Sequence, residues 1–362
     1  YFPQTFLQHM LPEPRAQVIQ KGLQGKPQSD AYLRFLVQEL KPAIDAGQDK
    51  RMATGYFSHP DCLAHVMGEG HPEGPQRILA IEDELRSQGL DTQLVHGEVP
   101  LATNDDLALA HDLNYILTLD DFLQQLEATG DSRALDPDTW ACPGTRSAAW
   151  RAAGAAIAAT DAVLDGKVDN AFCAIRPPGH HAPHNQTMGF CFFNNVAVAA
   201  RHALDVKGLQ RVAIVDFDVH HGNGTEDIFA GDDRVLMVGL FQHPLFPFSG
   251  AESRAGNMVN VPVPARTNGH TIRDVIESYW MYRLEDFRPE MIFISAGFDG
   301  HREDDMGGLQ LVEADYAWIT AKIVEVAQRF AGGRVVSCLE GGYHVSSLAR
   351  SVAAHVRTLL EA

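Results

Sequence analysis

The sequence has little cysteine and no long apolar run. Its five cysteines are an odd number spread over 362 residues, without a C-x-x-C pair. This argues against a disulfide framework and against a thiolate zinc site. No segment approaches the roughly 20 apolar residues of a membrane span, and the first residues lack the basic and apolar pattern of a signal peptide. We therefore expect a soluble cytoplasmic protein.

Basic residues are also scarce. The chain has 29 Lys and Arg against 47 Asp and Glu, a net charge of -18. Such a surface repels phosphate backbones and anionic lipid, so we expect neither nucleic-acid binding nor membrane binding. It would attract cationic partners such as lysine-rich segments or polyamines. With 45% hydrophobic and 21% charged residues, the composition is globular and excludes disorder, a collagen-like fibre and a coiled coil.

Residues 1–51 differ in composition from the rest of the chain. They are rich in Gln and interrupted by prolines. Ser29 or Asp30 can cap a helix that ends near Pro42. Its apolar face would consist of Tyr32, Leu33, Phe35, Leu36, Val37 and Leu40. We predict a helical extension that packs on a main domain of residues 52–362 or mediates homo-oligomer assembly; a leader added for expression is the alternative.

From residue 52 onward, short apolar runs alternate with longer helical patterns. Strands are predicted at 172–175, 211–217, 235–240, 291–295 and 335–339. Helices are predicted at 146–164, 195–206, 272–287 and 312–330. This alternation predicts an α/β fold: one domain with an open, mostly parallel sheet and helices on both faces.

Polar residues of catalytic type follow four of the predicted strands. The segments are RPPGHH (176–181), DFDVHHGNG (216–224), GFD (297–299) and EGGY (340–343). Ligands of open parallel sheets bind outside the carboxyl ends of the strands. We therefore expect these four segments to converge on one active site, a coincidence that core packing does not require.

Asp218, His220 and Asp299 form a candidate metal site. Asp218 and His220 are two residues apart in extended chain, so both side chains project from the same side. Asp299 could supply a third ligand from another strand end. Two carboxylates and one imidazole suit Zn²⁺ with an open position, and also Fe²⁺, Co²⁺ or Mn²⁺. The alternative is that each is a hydrogen-bonded core residue.

His180 and His181 are adjacent histidines on a turn that Gly179 makes adaptable. Near a metal-bound water, a neutral imidazole can act as a general base and a protonated one as an acid or electrostatic stabiliser. Each needs a partner that fixes its tautomer, and Asp216 and Asn223 are the nearest candidates. The alternative is a pair of loop histidines with no catalytic role.

Three aromatic residues lie on loops marked by glycine or proline. Tyr343 follows two glycines, so its hydroxyl could enter the crevice as an oxyanion donor, although Gly-Gly-Tyr is also a common turn. Phe190 and Phe246 are explained by core packing when residue type alone is considered.

Taken together, the motifs resemble those of the histone deacetylase family, in the class II-like bacterial branch that includes acetylpolyamine amidohydrolases. Besides the four segments above, the matching strings are GFCFFNN (189–195) and HPEGPQR (71–77). Their order and spacing also match, so the resemblance covers about residues 52–362. It implies an arginase/deacetylase-like fold and a zinc-dependent amidohydrolase that uses metal-activated water to release acetate.

The resemblance also implies a role for each site residue. Asp218, His220 and Asp299 would bind Zn²⁺, His181 would be the general base, His180 its electrostatic partner, Asp216 and Asn223 their orienting residues, and Tyr343 the donor to the carbonyl oxygen. Phe190 and Phe246, with Gly189, would form a narrow channel for an aliphatic amine chain, and Met306 would lie at its rim.

One segment departs from the family pattern. Residues 238–243 stand where relatives commonly read Ser-Leu-His, and that serine helps to hold a structural K⁺ in the family. Oxygens of Asp216, Asp218 and His220 could still bind the ion. K⁺ therefore remains a hypothesis for this chain.

The substrate would be either acetyl-lysine in proteins and peptides or an acetylated polyamine. Met306, seven residues after Asp299, gives an apolar rim like that of lysine deacetylases. The acidic run of Glu303, Asp304 and Asp305 would favour a diamine if one carboxylate faced the channel. We favour acetyl-lysine.

Two functions of other classes stay open. An arginase-like binuclear manganese hydrolase would need more carboxylates and would leave the His180-His181 pair unexplained. A non-catalytic acyl-amine sensor would have no need for the complete catalytic set. One zinc-like ion per chain would indicate a deacetylase, whereas two manganese ions would indicate the arginase-like hydrolase. Binding of an acylated ligand without acetate release would indicate the sensor.

Overall fold

The structure is a computed structural model that describes residues 53–362. The predicted N-terminal helix and the predicted boundary at residue 52 lie outside the described residues and stay predictions. All five cysteines lie within residues 53–362, where they are buried and form no disulfide. None of the helices in this range is long and apolar enough to cross a membrane.

Within residues 53–362, ten strands form one large sheet and one small hairpin. They are β1 Thr54–Phe57, β2 Val95–His96, β3 Arg133–Ala134, β4 Trp140–Ala141, β5 Asn170–Cys173, β6 Val212–Asp216, β7 Val235–Gln242, β8 Met258–Val263, β9 Met291–Ala296 and β10 Val335–Leu339. Eight of them pair in parallel in the order β2-β1-β5-β10-β9-β6-β7-β8, whereas β3 and β4 form an antiparallel hairpin. All five predicted strands are present, with ends shifted by at most two residues.

Eleven α-helices of the described range connect these strands. They are α1 Asp61–Ala64, α2 Gln76–Ser87, α3 Asn104–Leu107, α4 Leu113–Thr129, α5 Thr145–Leu164, α6 Asn195–Arg201, α7 Asn223–Phe229, α8 Gly269–Ile276, α9 Tyr282–Phe287, α10 Glu313–Phe330 and α11 Val345–Leu360. The predicted helix 195–206 is α-helical only to Arg201 and continues as a π-turn, His202–Val206. A second π-turn, Glu277–Met281, divides the predicted helix 272–287.

Both faces of the sheet are buried, which explains why its strands are continuous apolar runs. Successive side chains of a strand point to opposite faces. On β9, Met291 and Phe293 pack in one hydrophobic cluster, with α5 and α6. Ile292 and Ile294 pack in the other, with α2, α8, α10 and α11. The fold is therefore one α/β domain with helices on both faces, as predicted.

The order of the strands determines where the polar segments meet. β5, β10, β9 and β6 are consecutive neighbours in the sheet. The four segments of catalytic type follow these four strands. Because the strands are parallel, the segments emerge side by side at the same edge of the sheet.

Candidate active site

Asp218, His220 and Asp299 form a buried triad at this edge. Nδ1 of His220 lies 3.0 Å from Oδ1 of Asp218 and 3.2 Å from Oδ2 of Asp299. One ligand atom from each residue lies within 4.8 Å of the others, a spacing that allows all three to reach one ion. The structure thus brings the three predicted metal ligands together.

Backbone groups and glycines hold the two carboxylates of the triad. Gly341 N donates to Oδ2 of Asp218 over 2.8 Å, and Val219 N donates to Oδ1 of Asp299 over 3.0 Å. A Cβ at Gly297 or Gly341 would collide with these carboxylates, so both positions require glycine. Oδ2 of Asp299 is buried without an aligned hydrogen bond from any described group. This unsatisfied oxygen is a suitable ligand for a cation.

The charges of the triad also fit a divalent cation. Burial, together with repulsion from Asp218, raises the pKa of Asp299 to about 6. Burial opposes a charge on His220, but the adjacent carboxylates of Asp218 and Asp299 outweigh burial and raise its pKa to about 10. Both shifts show that the two buried carboxylates stabilise a positive charge beside them. A divalent cation with oxygen and imidazole ligands supplies that charge.

His180 and His181 each have the partner that the sequence predicted. Nδ1 of His180 lies 2.9 Å from Oδ2 of Asp216, and Nδ1 of His181 lies 2.7 Å from Oδ1 of Asn223. The ring centroids of the two histidines are 4.0 Å apart. Both histidines are buried, so each ring is fixed by its hydrogen bond and its neighbours.

The two histidines differ in protonation. Burial works against a charge on His180, but the carboxylates of Asp218 and Asp216 raise its pKa well above the ordinary value. Burial, followed by repulsion from His180 and His220, holds the pKa of His181 well below the ordinary value. The surroundings therefore favour the protonated form of His180 and the neutral form of His181. Since Nδ1 of His181 donates to Asn223, its Nε2 is free to accept a proton.

Glu340 anchors the turn that carries the two histidines. Its Oε2 accepts hydrogen bonds from the backbone N–H of Gly179 over 2.7 Å and of His180 over 3.1 Å. Glu340 follows β10 and is fully buried, and burial raises its pKa to about 7. Residue type alone did not indicate this role, although Glu340 opens the EGGY segment.

A cleft of about 170 Å³ opens beside the triad. It is lined by Asp138, His181, Gly189, Phe190, His220, Phe246, Met306 and Tyr343. The ring of Phe246 lies edge-on to His181 at 5.1 Å, and the ring of Phe190 lies edge-on to Tyr343 at 5.8 Å. All four residues predicted to bind substrate therefore line the cleft, as do His181 and Tyr343, which were predicted to be catalytic. Gly189 has a φ of 54° and leaves no space between its backbone and His181 for a Cβ.

Tyr343 presents a protonated hydroxyl to the cleft. Burial raises the pKa of this phenol well above its ordinary value. Within residues 53–362, no group accepts a hydrogen bond from the hydroxyl, which leaves it available to a ligand. The guanidinium of Arg77 lies 4.9 Å from the centre of the Tyr343 ring. Nε of Arg77 also donates to the carbonyl oxygen of Gly342 over 2.6 Å.

Residues 71–359 match the histone deacetylase domain. The chain belongs to the histone deacetylase family. It is 39% identical over 314 residues to the histone deacetylase-like amidohydrolase of Pseudomonas aeruginosa, an alignment that covers 80% of this chain and 81% of that protein.

Two further comparisons show relatives of this chain within the family. The chain is 37% identical over 334 residues to the mouse polyamine deacetylase HDAC10, covering 85% of this chain and 48% of that protein. The crystal structure of the HDA15 HD domain superposes with a TM-score of 0.80 at 31% identity, covering 86% of this chain and 89% of that chain. The arginase/deacetylase-like fold expected from the motifs is therefore confirmed.

The acidic run near the rim of the cleft does not supply a carboxylate to it. Glu303 pairs with Arg350 over 2.9 Å. Asp304 is 4% exposed and accepts backbone hydrogen bonds, and Asp305 faces solvent. In the described part of the chain, the carboxylate that lines the cleft is Asp138. The condition under which the run would favour a diamine, a carboxylate of Glu303, Asp304 or Asp305 that faces the channel, is therefore not met in the described cleft.

Asp138 lies on the loop between β3 and β4, and sequence reasoning missed it. Oδ1 of Asp136 accepts from the N–H groups of Asp138 and Thr139, which shapes the loop. Oγ1 of Thr139 accepts from Phe190 N over 3.1 Å and so holds the loop against the cleft wall. The bond between Phe190 and Thr139 spans 51 residues of sequence, so no local pattern signals that the loop reaches the cleft.

A buried ion cluster links two of the family motifs. Glu73 of the HPEGPQR segment receives a hydrogen bond of 2.7 Å from Nη2 of Arg176, which opens the RPPGHH segment. Burial alone would raise the pKa of Glu73, but Arg176 lowers it to about 2. Nη1 of Arg77 lies 3.2 Å from the same carboxylate. This cluster connects the loop of the histidine pair to the arginine behind Tyr343.

Proposed function

We propose that this protein is a zinc-dependent amidohydrolase that removes acetyl groups from acetyl-lysine side chains and releases acetate. The observation that supports the proposal most is the shared cleft. His220 of the buried triad, the neutral His181 and the hydroxyl-bearing Tyr343 all line it, between apolar walls.

Asp218, His220 and Asp299 would hold the metal. Zn²⁺ at this site would supply Lewis acidity, which lowers the pKa of water and polarises an acetyl carbonyl. The same ligands accept Fe²⁺, so Fe²⁺ is the alternative in the cell. Within residues 53–362 this triad is the one cluster of three such ligands, which supports a single metal over an arginase-like pair.

The side chains around the cleft would move the protons. Nε2 of His181 takes a proton from the attacking water and returns it to the amine nitrogen as the C–N bond breaks. The protonated His180 stabilises the negative charge that develops, and the hydroxyl of Tyr343 donates to the carbonyl oxygen. One water and one amide are consumed, and one acetate and one amine are formed.

The walls of the cleft favour an acetylated alkylamine. Phe190 and Phe246 would contact the methylene stem of the substrate, whose apolar surface they keep from water. The half-buried Met306 offers no charge to a second amine. An acetyl-lysine side chain has such a stem and no second ammonium group.

An acetylated polyamine is the second candidate substrate. Asp138 favours it, because a carboxylate at the cleft could bind a second ammonium group. A relative with 37% identity is named as a polyamine deacetylase. The same carboxylate could instead accept a hydrogen bond from the backbone N–H of a peptide.

Acetate release from an acetyl-lysine peptide and from acetylated putrescine and spermidine tests the proposal. The zinc-loaded protein is expected to favour the peptide in kcat/KM. Asp138→Asn should weaken peptide turnover through KM, whereas Asp305→Asn, the exposed control, should not. Preference for the polyamines, with loss of that preference in Asp138→Asn, would move the assignment to the amidohydrolase branch. Binding without acetate release would indicate a sensor.

Two accompanying predictions concern K⁺ and location. K⁺ bound through oxygens of Asp216, Asp218 and His220 stays a prediction, and stimulation of turnover by KCl but not by equal concentrations of LiCl would support it. A cytoplasmic location also stays a prediction, to be checked by fractionation of the source cells.

A further inference from the structure

Asp304 connects the loop of Tyr343 to the loop of Met306 through one buried carboxylate. Its Oδ2 accepts the backbone N–H of Tyr343 over 2.6 Å and that of His344 over 2.9 Å. Its Oδ1 accepts the backbone N–H of Met306 over 3.0 Å. Both oxygens are therefore used, although the residue lies in an acidic run that looks like a solvated loop in the sequence.

The peptide group between Gly342 and Tyr343 is held at both ends. Its N–H donates to Asp304, and its carbonyl oxygen accepts from Nε of Arg77 over 2.6 Å. Gly342 has a φ of 121° and Gly341 precedes it, so the backbone here has little intrinsic preference for one orientation of this peptide plane. The orientation of that plane sets the direction in which the Tyr343 side chain leaves the backbone.

We propose that Asp304 is a positioning residue that directs the Tyr343 hydroxyl into the cleft by fixing this peptide plane. The proposal rests on the proposed function, in which Tyr343 donates to the substrate carbonyl. A carboxylate also suits this place because the two N–H groups that it binds directly precede α11, whose N-terminal end attracts negative charge. Asp304 itself does not line the cleft.

The number of acceptor atoms explains why aspartate is needed. Three N–H groups, from Tyr343, His344 and Met306, converge on two carboxylate oxygens. An asparagine has one acceptor oxygen, and its NH₂ group cannot accept. Asp304→Asn preserves the shape of the side chain but must leave at least one of these three N–H groups without an acceptor.

Kinetics of Asp304→Asn test the proposal, with Asp305→Asn as a control of equal charge. Asp305 is exposed and makes no side-chain hydrogen bond with the described residues. Misplacement of a catalytic group by ~1 Å costs on the order of 10²-fold in rate. We expect a fall of this size in kcat for Asp304→Asn, with KM and zinc content unchanged, and parental values for Asp305→Asn.

A double variant shows whether Asp304 acts through the Tyr343 hydroxyl. In the Tyr343→Phe background the hydroxyl is absent, so adding Asp304→Asn should lower kcat no further. If the two effects instead multiply, Asp304 acts independently of Tyr343 and the proposal is overturned. Parental kcat in the folded single variant would also overturn the proposal. A change confined to KM would overturn it too, because Asp304 would then position only Met306 at the cleft.

Hydrogen exchange gives a readout that does not depend on activity. The amides of Tyr343 and His344 are expected to exchange slowly in the unaltered protein and faster in Asp304→Asn, but not in Asp305→Asn. Rapid exchange in the unaltered protein would overturn the proposal even if the variant does not fold. If the parent protein releases no acetate, the proposed function fails, whereas slow exchange would still support the hydrogen bonds of Asp304.

Discussion

The imidazoles of His180 and His181 lie 4.0 Å apart but are hydrogen-bonded to partners of different charge. The carboxylate of Asp216 faces Nδ1 of His180, and the neutral amide of Asn223 faces Nδ1 of His181. The surroundings therefore favour the charged form of the His180 ring and the neutral form of the His181 ring. This division of charge allows two adjacent residues of the same type to perform different steps.

Changing the charge of either partner should move one limb of the pH profile of kcat/KM, and the two variants should move different limbs in opposite directions. Asn223→Asp places a carboxylate behind His181 and raises its pKa, so the acid limb of kcat/KM should move to higher pH by about 1–3 units. Asp216→Asn removes a carboxylate from His180 and lowers its pKa, so the alkaline limb should move to lower pH. The measurement is kcat/KM against pH for the three proteins. Identical limbs would show that neither histidine governs the profile.

Tyr343→Phe should lower kcat on the order of 10²–10³-fold, as expected for the loss of one oxyanion donor. KM should change little, because the ring and its contact with Phe190 remain. The variant should bind zinc as the parent does. Near-parental turnover would remove the tyrosine from the mechanism.

Phe246→Ala should weaken substrate binding rather than chemistry. The substitution exposes about one to two methylene groups of the substrate stem to water, at ~0.8 kcal/mol each, so KM should rise roughly tenfold. Phe248→Ala is the matched control, because Phe248 is 73% exposed and does not line the cleft. Equal KM values for the two variants would contradict a channel wall at Phe246.

His355 makes folding stability depend on pH. It is fully buried between the hydroxyls of Thr320 and Ser337, at 2.6 and 2.9 Å from its ring nitrogens. Burial lowers its pKa from 6.5 to about 3. Between these values the unfolded chain binds a proton that the folded protein does not. The stability contributed by the neutral ring is therefore complete above about pH 6.5 and is lost as the pH falls toward 3.

Replacing His355 should flatten this dependence. Between about pH 7 and about pH 5, His355→Gln should reduce the change in the free energy of unfolding by about 2 kcal/mol relative to the parent. Urea unfolding at the two pH values measures it. His270→Gln, which alters an exposed histidine, should leave the parental difference. If His355→Gln shows the parental change in the free energy of unfolding between the two pH values, the folded protein protonates this ring at about pH 5 as the unfolded chain does.

The centre of the fold and most of the site follow from local sequence patterns. The central strands are apolar runs because both faces of the sheet are buried; they are β5, β6, β9 and β10. The polar segments that directly follow these strands form the site. The edge strands are harder to predict. β8 contains Pro262, which an edge strand tolerates because one side of it needs no ladder hydrogen bond, and β2 has only two residues.

Residues that act through tertiary contacts escaped prediction. Asp138 reaches the cleft because the hairpin loop is held against Phe190, and Asp304 is buried because three backbone N–H groups from two loops surround it. Neither environment is encoded within a short window of sequence. Acidic residues in a loop are usually solvated, so residue type alone indicates neither of these positions.

Zinc titration of the metal-free protein, with acetate release from an acetyl-lysine peptide as the signal, tests whether one zinc ion per chain supports catalysis. One triad predicts that acetate release rises linearly with zinc and reaches a plateau at about one ion per chain. Asp299→Asn should shift or abolish this rise. Absence of acetate at every zinc concentration, or a plateau reached only with two ions per chain, would rule out a deacetylase with a single zinc ion at this triad.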